Sequence, residues 1–286
     1  MTRDLGAAAN RGYRAVRGAL GRVGVARIPG ARRLDAAVRR AVGTRAEVLG
    51  HTMVLDRGDT LFLARHGVYE PTFTALVEGA VRAGDVVVDV GANIGYHTLL
   101  FARAAGPTGR VIAFEPAPDT FRLLEENVRA NGYENVELVQ AAASDASGRV
   151  TLQLSDENPG DHRIVGPGGR EGIEVACVTL DERLAEGPLP DVVKLDVQGA
   201  EPRVLRGMSS VLGRAPVRLL LTEFWPRGLV EAGEDPPAFL AAITGAGYEL
   251  RLVDEDAGRV RAASPEELLE LHPPSTDRWA NLACVR

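Results

Sequence analysis

The chain has 286 residues, 45% of them hydrophobic, enough to build one large α/β domain with an appendage. The net charge of −6 is unevenly spread: residues 1–45 hold eleven Arg against Asp4 and Asp35, a surplus of nine, so the remainder carries −15. An acidic body with a basic arm argues against nucleic acid as a partner, and no apolar run nears the roughly 18 residues that would insert stably in a membrane.

In residues 8–25, Tyr13, Val16, Leu20 and Val23 recur at helical spacing among arginines, which predicts an amphipathic helix broken at Ile28-Pro29-Gly30. A second short helix is expected over 34–42. The expected role for this arm is a helical cap docked on the main domain, with an arm that touches a membrane or RNA, or a disordered start, as alternatives; its helices could also pack on a neighbouring copy in a homo-oligomer. Arginines throughout residues 1–30 make a signal peptide unexpected. Residues 47–66 alternate loosely around Asp56-Arg57-Gly58-Asp59, which predicts a β-hairpin turning at Gly58. Tyr69-Glu70-Pro71 then leads into a helix over 72–82. The natural division is an extension over 1–69 and a main domain over 70–286.

The most informative stretch is 86–98. A β-branched run from Val86 to Val90 stops at Gly91, and an apolar helical pattern starts at Tyr96. This is a buried strand, a tight glycine turn and a helix whose first N–H groups point at the turn. A second strand, 110–114, ends in Glu115, placed to take both hydroxyls of a ribose. The turn reads Gly91-x-Asn93-x-Gly95 rather than G-x-G-x-x-G, and Asp89 precedes it. A carboxylate there would repel a diphosphate, which argues against a dehydrogenase. It suits a nucleoside with a cationic end, and S-adenosylmethionine (SAM) is such a ligand.

Further along, Pro116 and Pro118 start a helix that Asn131-Gly132 ends. Strands follow at 136–140, 150–154 and 174–178, the last two pairing around the loop 155–172, which carries Asp161-His162-Arg163. Thr179-Leu180-Asp181-Glu182 is a capping box. Strands are expected at 191–196, 217–224, 248–253 and 281–286, with a helix over 236–245. Such alternation predicts a mostly parallel sheet with helices on both faces. Cys177 and Cys284 lie in apolar runs and read as buried thiols, which points to a reducing, cytoplasmic setting; no cluster has metal-ligand spacing.

The pieces Asp89-Val-Gly-Ala-Asn-Ile-Gly-Tyr-His-Thr98, Phe114-Glu-Pro-Ala-Pro118 with Phe121 and Asn127, Ala143-Ser-Asp145, Thr179-Leu-Asp181 and Lys194-Leu-Asp-Val-Gln-Gly-Ala-Glu201 together resemble the FkbM-type SAM-dependent methyltransferases. The resemblance covers about residues 70–225. It implies a class I methyltransferase fold: a doubly wound, Rossmann-like α/β sheet of seven main strands, the last antiparallel. It also implies SAM as donor and usually an O-methylated natural product, sugar or lipid. The family carries Glu where this chain has Gln198.

Residue by residue, Glu115 is expected to hold the ribose, Ser144 or Asp145 to meet the adenine, and Asp89, Gly91, Asn93 and Gly95 to form the methionine-side turn, with His97 beside it. Glu70 is placed to reach the SAM ammonium. Asp196 ends a strand at the crevice edge, where it would meet the methionyl end or the acceptor. Candidate bases are Asp196 and His162, with His97 and Glu223 in reserve; His162, Arg163 and Trp225 are candidate acceptor contacts. Lys194 is the only lysine, against 32 arginines, which suggests a specific hydrogen-bonding need. The acceptor is a small molecule. N- or carboxyl-methylation and a SAM-fold module without chemistry are the alternatives.

Overall fold

The structure, a computed structural model, describes residues 45–56, 58–155, 162–165, 172–214 and 217–286. The two helices expected over 8–25 and 34–42, and any contact between copies through them, lie outside the described residues.

The chain's alternation becomes one eight-stranded sheet. Its strands, in chain order, are β3 (Val86–Val90), β4 (Arg110–Phe114), β5 (Val136–Val139), β10 (Val192–Leu195), β11 (Leu219–Phe224), β12 (Glu249–Asp254), β13 (Arg259–Ala262) and β14 (Ala280–Val285). Their spatial order is β13-β12-β14-β11-β10-β3-β4-β5. Strands β5, β4, β3, β10 and β11 are mutually parallel, whereas β14 runs antiparallel between β11 and β12. This is the expected doubly wound sheet with its last strand reversed, extended by β13 at one edge. The order reverses at β3 and β10, so a crevice opens at their carboxyl ends.

Helices cover both faces. On one side α2 (Pro71–Ala80), α3 (Tyr96–Ala105) and α4 (Pro118–Ala130) pack on Val87, Val111, Ala113, Val192 and Leu221. On the other, α6 (Glu201–Arg206), α7 (Ser209–Arg214), α9 (Pro236–Gly245) and α10 (Pro265–Leu271) pack on Val88, Val90, Ile112, Val193 and Leu195. Adjacent residues of one strand thus serve opposite cores, which is why the central strands read as unbroken apolar runs. Each Leu or Phe fully buried there contributes about 1.5–3 kcal/mol. The remaining helices are short: α1 (Leu63–His66), α5 (Leu180–Arg183), whose cap Thr179 accepts the Glu182 N–H while its own N–H donates to Ser147 and not to Glu182, so that half of the expected capping box forms, and α8 (Pro226–Glu231).

Two small sheets flank the main one. In the first, β1 (Arg45–Val48) pairs with β2 (His51–Val54). This hairpin turns at Leu49-Gly50, not at Gly58 as expected. The Asp56-to-Asp59 turn signal is real but serves another purpose: the Asp56 carboxylate accepts the N–H groups of Gly58 (2.7 Å) and Thr60 (3.1 Å) and closes a loop on itself. The hairpin is tied to the main domain by Asn127 of α4, which is wholly buried. Its Oδ1 accepts Val54 N–H (2.5 Å), and its Nδ2 donates to the carbonyls of Val54 (2.9 Å) and Ile94 (2.7 Å). In the second, β6 (Ala142–Ala143), β7 (Gly148–Gln153), β8 (Arg163–Val165) and β9 (Ile173–Val178) pair in the order β6-β9-β7-β8. The 150–154 and 174–178 strands pair as expected, and β8 adds a strand from within the long excursion.

Candidate active site

At the crevice, the ends of β3, β4 and β10 are drawn together by the glycine turn. Gly91 and Ala92 donate their N–H groups to the Phe114 carbonyl at 3.0 and 2.9 Å. Gly91 has φ +78°, and a Cβ there would lie 1.9 Å from the Asp196 carbonyl oxygen, so only glycine fits. Gly91→Ala is therefore expected to lower Tm sharply. Gly213→Ala, in α7 where a Cβ would meet nothing, is expected to stabilise by about 0.5–1 kcal/mol; paired melting curves check both.

Two connected hollows flank the turn and share Gly91, Asn93, Asp196 and Gln198. The smaller, about 60 Å³, is bordered by Glu115, Phe114, Ala141–Ala143, Leu152, His162 and Ile164. The larger, a cleft of about 480 Å³, is bordered by Glu70, Tyr69, His97, Lys194, Glu223, Asn281 and both tryptophans. His162 therefore sits with Glu115, and its Nδ1 accepts the Ser155 N–H (3.0 Å); Arg163 and Trp225 sit in the cleft. Ser144 is buried and donates to Asp145 (3.1 Å), which pairs with Arg206 at 3.0 Å; neither borders the smaller hollow.

Glu115 is held in place by two backbone donors. Its Oε2 accepts Asn93 N–H (3.0 Å) and its Oε1 accepts Ala117 N–H (2.9 Å). Burial pushes its carboxyl up to about 7, against the pull of those two donors. Asn93 takes the left-handed φ of +51° that lets its N–H turn inward.

The cleft floor is a line of charges. Lys194 lies directly opposite Asp89 in the β10–β3 register. Its Nζ donates to Asp89 Oδ1 (3.1 Å) and the Gly91 carbonyl (3.1 Å), and lies 3.5 Å from Asp196 Oδ2. Thr98 donates to the other Asp89 oxygen at 2.6 Å. Burial opposes the ammonium charge, but Asp89 and Asp196 outweigh it and hold Lys194 above its ordinary value. This is the specific need that the lone lysine suggested.

Beyond Lys194 the cleft is acidic. Burial, then Asp196, pushes Glu70 up to about 7 even though Asn281 Nδ2 donates to it (2.8 Å), and the same two causes hold Glu223 well above the carboxylate range. Gln198 Nε2 bridges Asp196 Oδ1 (3.1 Å) and Glu223 Oε2 (3.2 Å). A Glu at this position would bring a third carboxylate to that junction. Gln198 and Glu70 both carry left-handed φ (+54° and +44°), so two more non-glycine residues at the cleft store backbone strain. Glu201 accepts the N–H groups of Val197 (2.8 Å) and Gly199 (2.9 Å), fixing the loop that carries Gln198. His97 is buried among Tyr69, Phe73 and Tyr96; burial, then Lys194, lowers its pKa, and its Nε2 has no partner among the described residues.

The description of the methyltransferase FkbM domain matches residues 89–250, more than half the chain. The chain belongs to the FkbM methyltransferase domain family. It is 36% identical over 156 residues to the hexuronic acid methyltransferase AglP of Haloferax volcanii, a match covering 53% of this chain and 58% of that protein. It is 31% identical over 159 residues to the 31-O-demethyl-FK506 methyltransferase FkbM of Streptomyces tacrolimicus, covering 45% of this chain and 61% of that protein. The chain thus spans about six-tenths of the length of these curated relatives. Among solved structures, Aeropyrum pernix fibrillarin with natively bound SAM aligns with a TM-score of 0.44 at 16% identity, covering 75% of this chain and 74% of that one.

The cofactor of this family is SAM, and the donor set of this FkbM-domain chain fits it. One hollow presents a carboxylate held by two backbone N–H groups, as ribose hydroxyls require; the other presents more carboxylates than cations, as a sulfonium and an ammonium require. Among the described residues no group of His, Cys, Asp and Glu has the arrangement of a metal site, and no helix is long and apolar enough to cross a membrane.

Asn281, Trp279, Asp277, Arg227 and Glu231, all at the cleft, went unread in the sequence. A signal existed for the first three: if the last strand is antiparallel, its beginning lies at the carboxyl ends of the parallel strands. Asn281 opposes Glu223 in the β14–β11 register for that reason.

Proposed function

We propose that this protein is a SAM-dependent methyltransferase that methylates a hydroxyl of a small-molecule acceptor. The observation that carries the reading is the pair of joined hollows at one glycine turn, Glu115 in one and the Asp196–Gln198–Glu223 group in the other. The name of one relative, which acts on an O-demethyl compound, supports a hydroxyl acceptor; the other acts on a hexuronic acid, which offers a carboxyl as well as hydroxyls.

When bound, SAM supplies a methyl group activated by a sulfonium leaving group. Glu115 receives the ribose hydroxyls. Glu70, fixed by Asn281, faces the ammonium. Asp196 Oδ2 takes the acceptor's proton, a step for which a positioned base contributes about 10²–10⁴-fold. Gln198 donates to both Asp196 and Glu223 and keeps the two carboxyls at fixed separation. Tyr69, Tyr96 and Trp225 wall the cleft and exclude water. His162, beside Glu115, covers the nucleoside.

Calorimetric titration with SAM and S-adenosylhomocysteine tests the reading, followed by a screen of hydroxylated acceptors for the gain of one methyl by mass. Absence of binding by either ligand would overturn it. The pH dependence has a defined sign. Glu70 titrates at about 7 in the free protein, so below pH 7 it is neutral and attracts an ammonium weakly, and above it is charged. Affinity for S-adenosylhomocysteine is expected to rise between pH 6 and pH 8, with proton release on binding near pH 7. Buffers of different ionisation enthalpy read that release, and Glu70→Gln should remove the Glu70 share while leaving that of Glu115, whose carboxyl burial also pushes up to about 7.

A further inference from the structure

The carboxylates Glu115, Asp196 and Glu255 share one placement: each is the first residue beyond a strand, β4, β10 and β12 respectively. These strands point the same way, because β12 and β11 both run antiparallel to β14. Glu115 and Asp196 border the hollows, whereas Glu255 does not. Its carboxylate meets the start of α2 instead. Oε2 accepts the Thr72 N–H (3.0 Å) and Oε1 accepts the Phe73 N–H (2.8 Å). Pro71 has no N–H, and the Thr74 N–H already bonds the Glu70 carbonyl (2.8 Å), so these two are the orphan donors of the helix.

An N-cap residue ordinarily takes such donors with its own side chain. Glu70 is the N-cap of α2 and takes neither. Its backbone is left-handed (φ +44°, ψ +72°), and the residues around it hold it so. Tyr69 N–H donates to Tyr96 Oη (3.2 Å), and Thr74 Oγ1 donates to the Tyr69 carbonyl (2.7 Å). Glu70 Oε2 accepts from Asn281 (2.8 Å), and Glu70 borders the cleft. The strand register explains the exchange. Asn281 of β14 pairs with Val253 of β12, two residues before Glu255. Neighbouring strands therefore deliver both the amide that holds Glu70 at the cleft and the carboxylate that replaces it at the helix.

We propose that Glu255 is a positioning residue: by capping α2 from another strand, it frees the Glu70 carboxyl for the cleft. That the freed carboxyl meets an ammonium rests on the SAM reading above.

Without Glu255, two N–H groups and the positive end of α2 lack a carboxylate, and Glu70, at the helix's own N-cap, turns to them. The other ionisable groups around Glu70, namely Tyr69, Asp196, Glu223 and Lys194, are left in place. The test uses the full chain with Glu255→Ala, Glu70→Gln and both together. In calorimetry with S-adenosylhomocysteine at pH 8, Glu255→Ala should bind about tenfold more weakly than wild type, and the double variant no more weakly than Glu70→Gln. Glu255→Gln, whose amide oxygen still accepts one N–H, should fall between, and it replaces Glu255→Ala if that variant does not fold. The same loss in both backgrounds would make Glu255 a structural cap only and overturn the proposal, as would wild-type affinity in a folded Glu255→Ala.

A second readout needs no ligand. The Glu70 carboxyl, followed by carbon NMR and identified by its absence in Glu70→Gln, should titrate at about 7 in the wild type and lower in Glu255→Ala, since a carboxylate on helix N–H groups is held ionised. Glu255→Gln removes the same charge but keeps one acceptor, so its midpoint should fall less. Equal midpoints in Glu255→Ala and Glu255→Gln, or no change in either, would overturn the positioning role. A graded fall in a chain that binds no S-adenosylhomocysteine keeps that role and removes the methyltransferase reading.

Discussion

Replacing Glu115 with alanine is expected to weaken SAM and S-adenosylhomocysteine by about 100-fold or more. The carboxylate is the group positioned for both ribose hydroxyls, and each hydrogen bond to a charged acceptor is worth about 1.5–3 kcal/mol. Two such bonds correspond to roughly 10²–10⁴ in affinity. The same change removes the acceptor for the Asn93 and Ala117 N–H groups, so the turn itself loosens. Glu115→Gln separates the two effects. Its amide oxygen can still accept one of the N–H groups, so the fold is expected to hold while binding falls by an intermediate factor. Calorimetry gives the affinities, and thermal unfolding shows which share of the loss is structural. Wild-type affinity in Glu115→Ala would place the ribose elsewhere.

Lys194→Met is expected to be among the most destabilising single changes in the chain. Asp89 is fully buried, and Lys194 is the cation that matches it. Removing one partner of a buried pair leaves an uncompensated charge and costs about 3–5 kcal/mol. At roughly 2–4 °C per kcal/mol for a chain of this size, Tm should fall by about 6–20 °C. The Gly91 carbonyl also loses its donor, so the glycine turn is the part that fails first. Adding Asp89→Asn removes the stranded charge while Thr98 can still donate to the amide oxygen. The double variant should therefore recover a large part of the loss, and a double-mutant cycle from melting curves measures the coupling. Arginine at 194 is not expected to substitute, since the compact ammonium serves three oxygens around one point, an arrangement a planar fork does not reproduce.

The sequence was most legible where one local pattern had one physical solution. Val86 to Val90, the positive-φ glycines and the apolar start at Tyr96 could only be a buried strand, a tight turn and a helix, and α3 begins and ends where the periodicity put it. The Thr179 cap and the Asn131-Gly132 stop worked for the same reason: a cap is a contact between residues three or four apart. The hairpin near the start was misplaced because the Asp56 loop and a true hairpin turn share the same residue types, and only cross-strand pairing distinguishes them. The edge strand β13 and α10 went unread because their patterns are short and become elements only against β12 and the finished core.

By itself, then, the sequence determined the alternating α/β order, the glycine turn, the acid at the end of the second strand and the need for a special lysine, all of which rest on neighbours in the chain or on one strand end. Only the tertiary structure decided which carboxylates share a cleft. Glu70, Asp196 and Glu223 are far apart in sequence, and the raised pKa values of Glu70 and Glu223 come from burial and the nearby Asp196 charge, which no local pattern encodes. It likewise decided that His162 sits beside Glu115, and that β14, by running antiparallel between β11 and β12, carries Asn281 and Trp279 back to the crevice. Long-range placement of this kind comes from how sheets close and cores fill, so it exists only once the chain has folded.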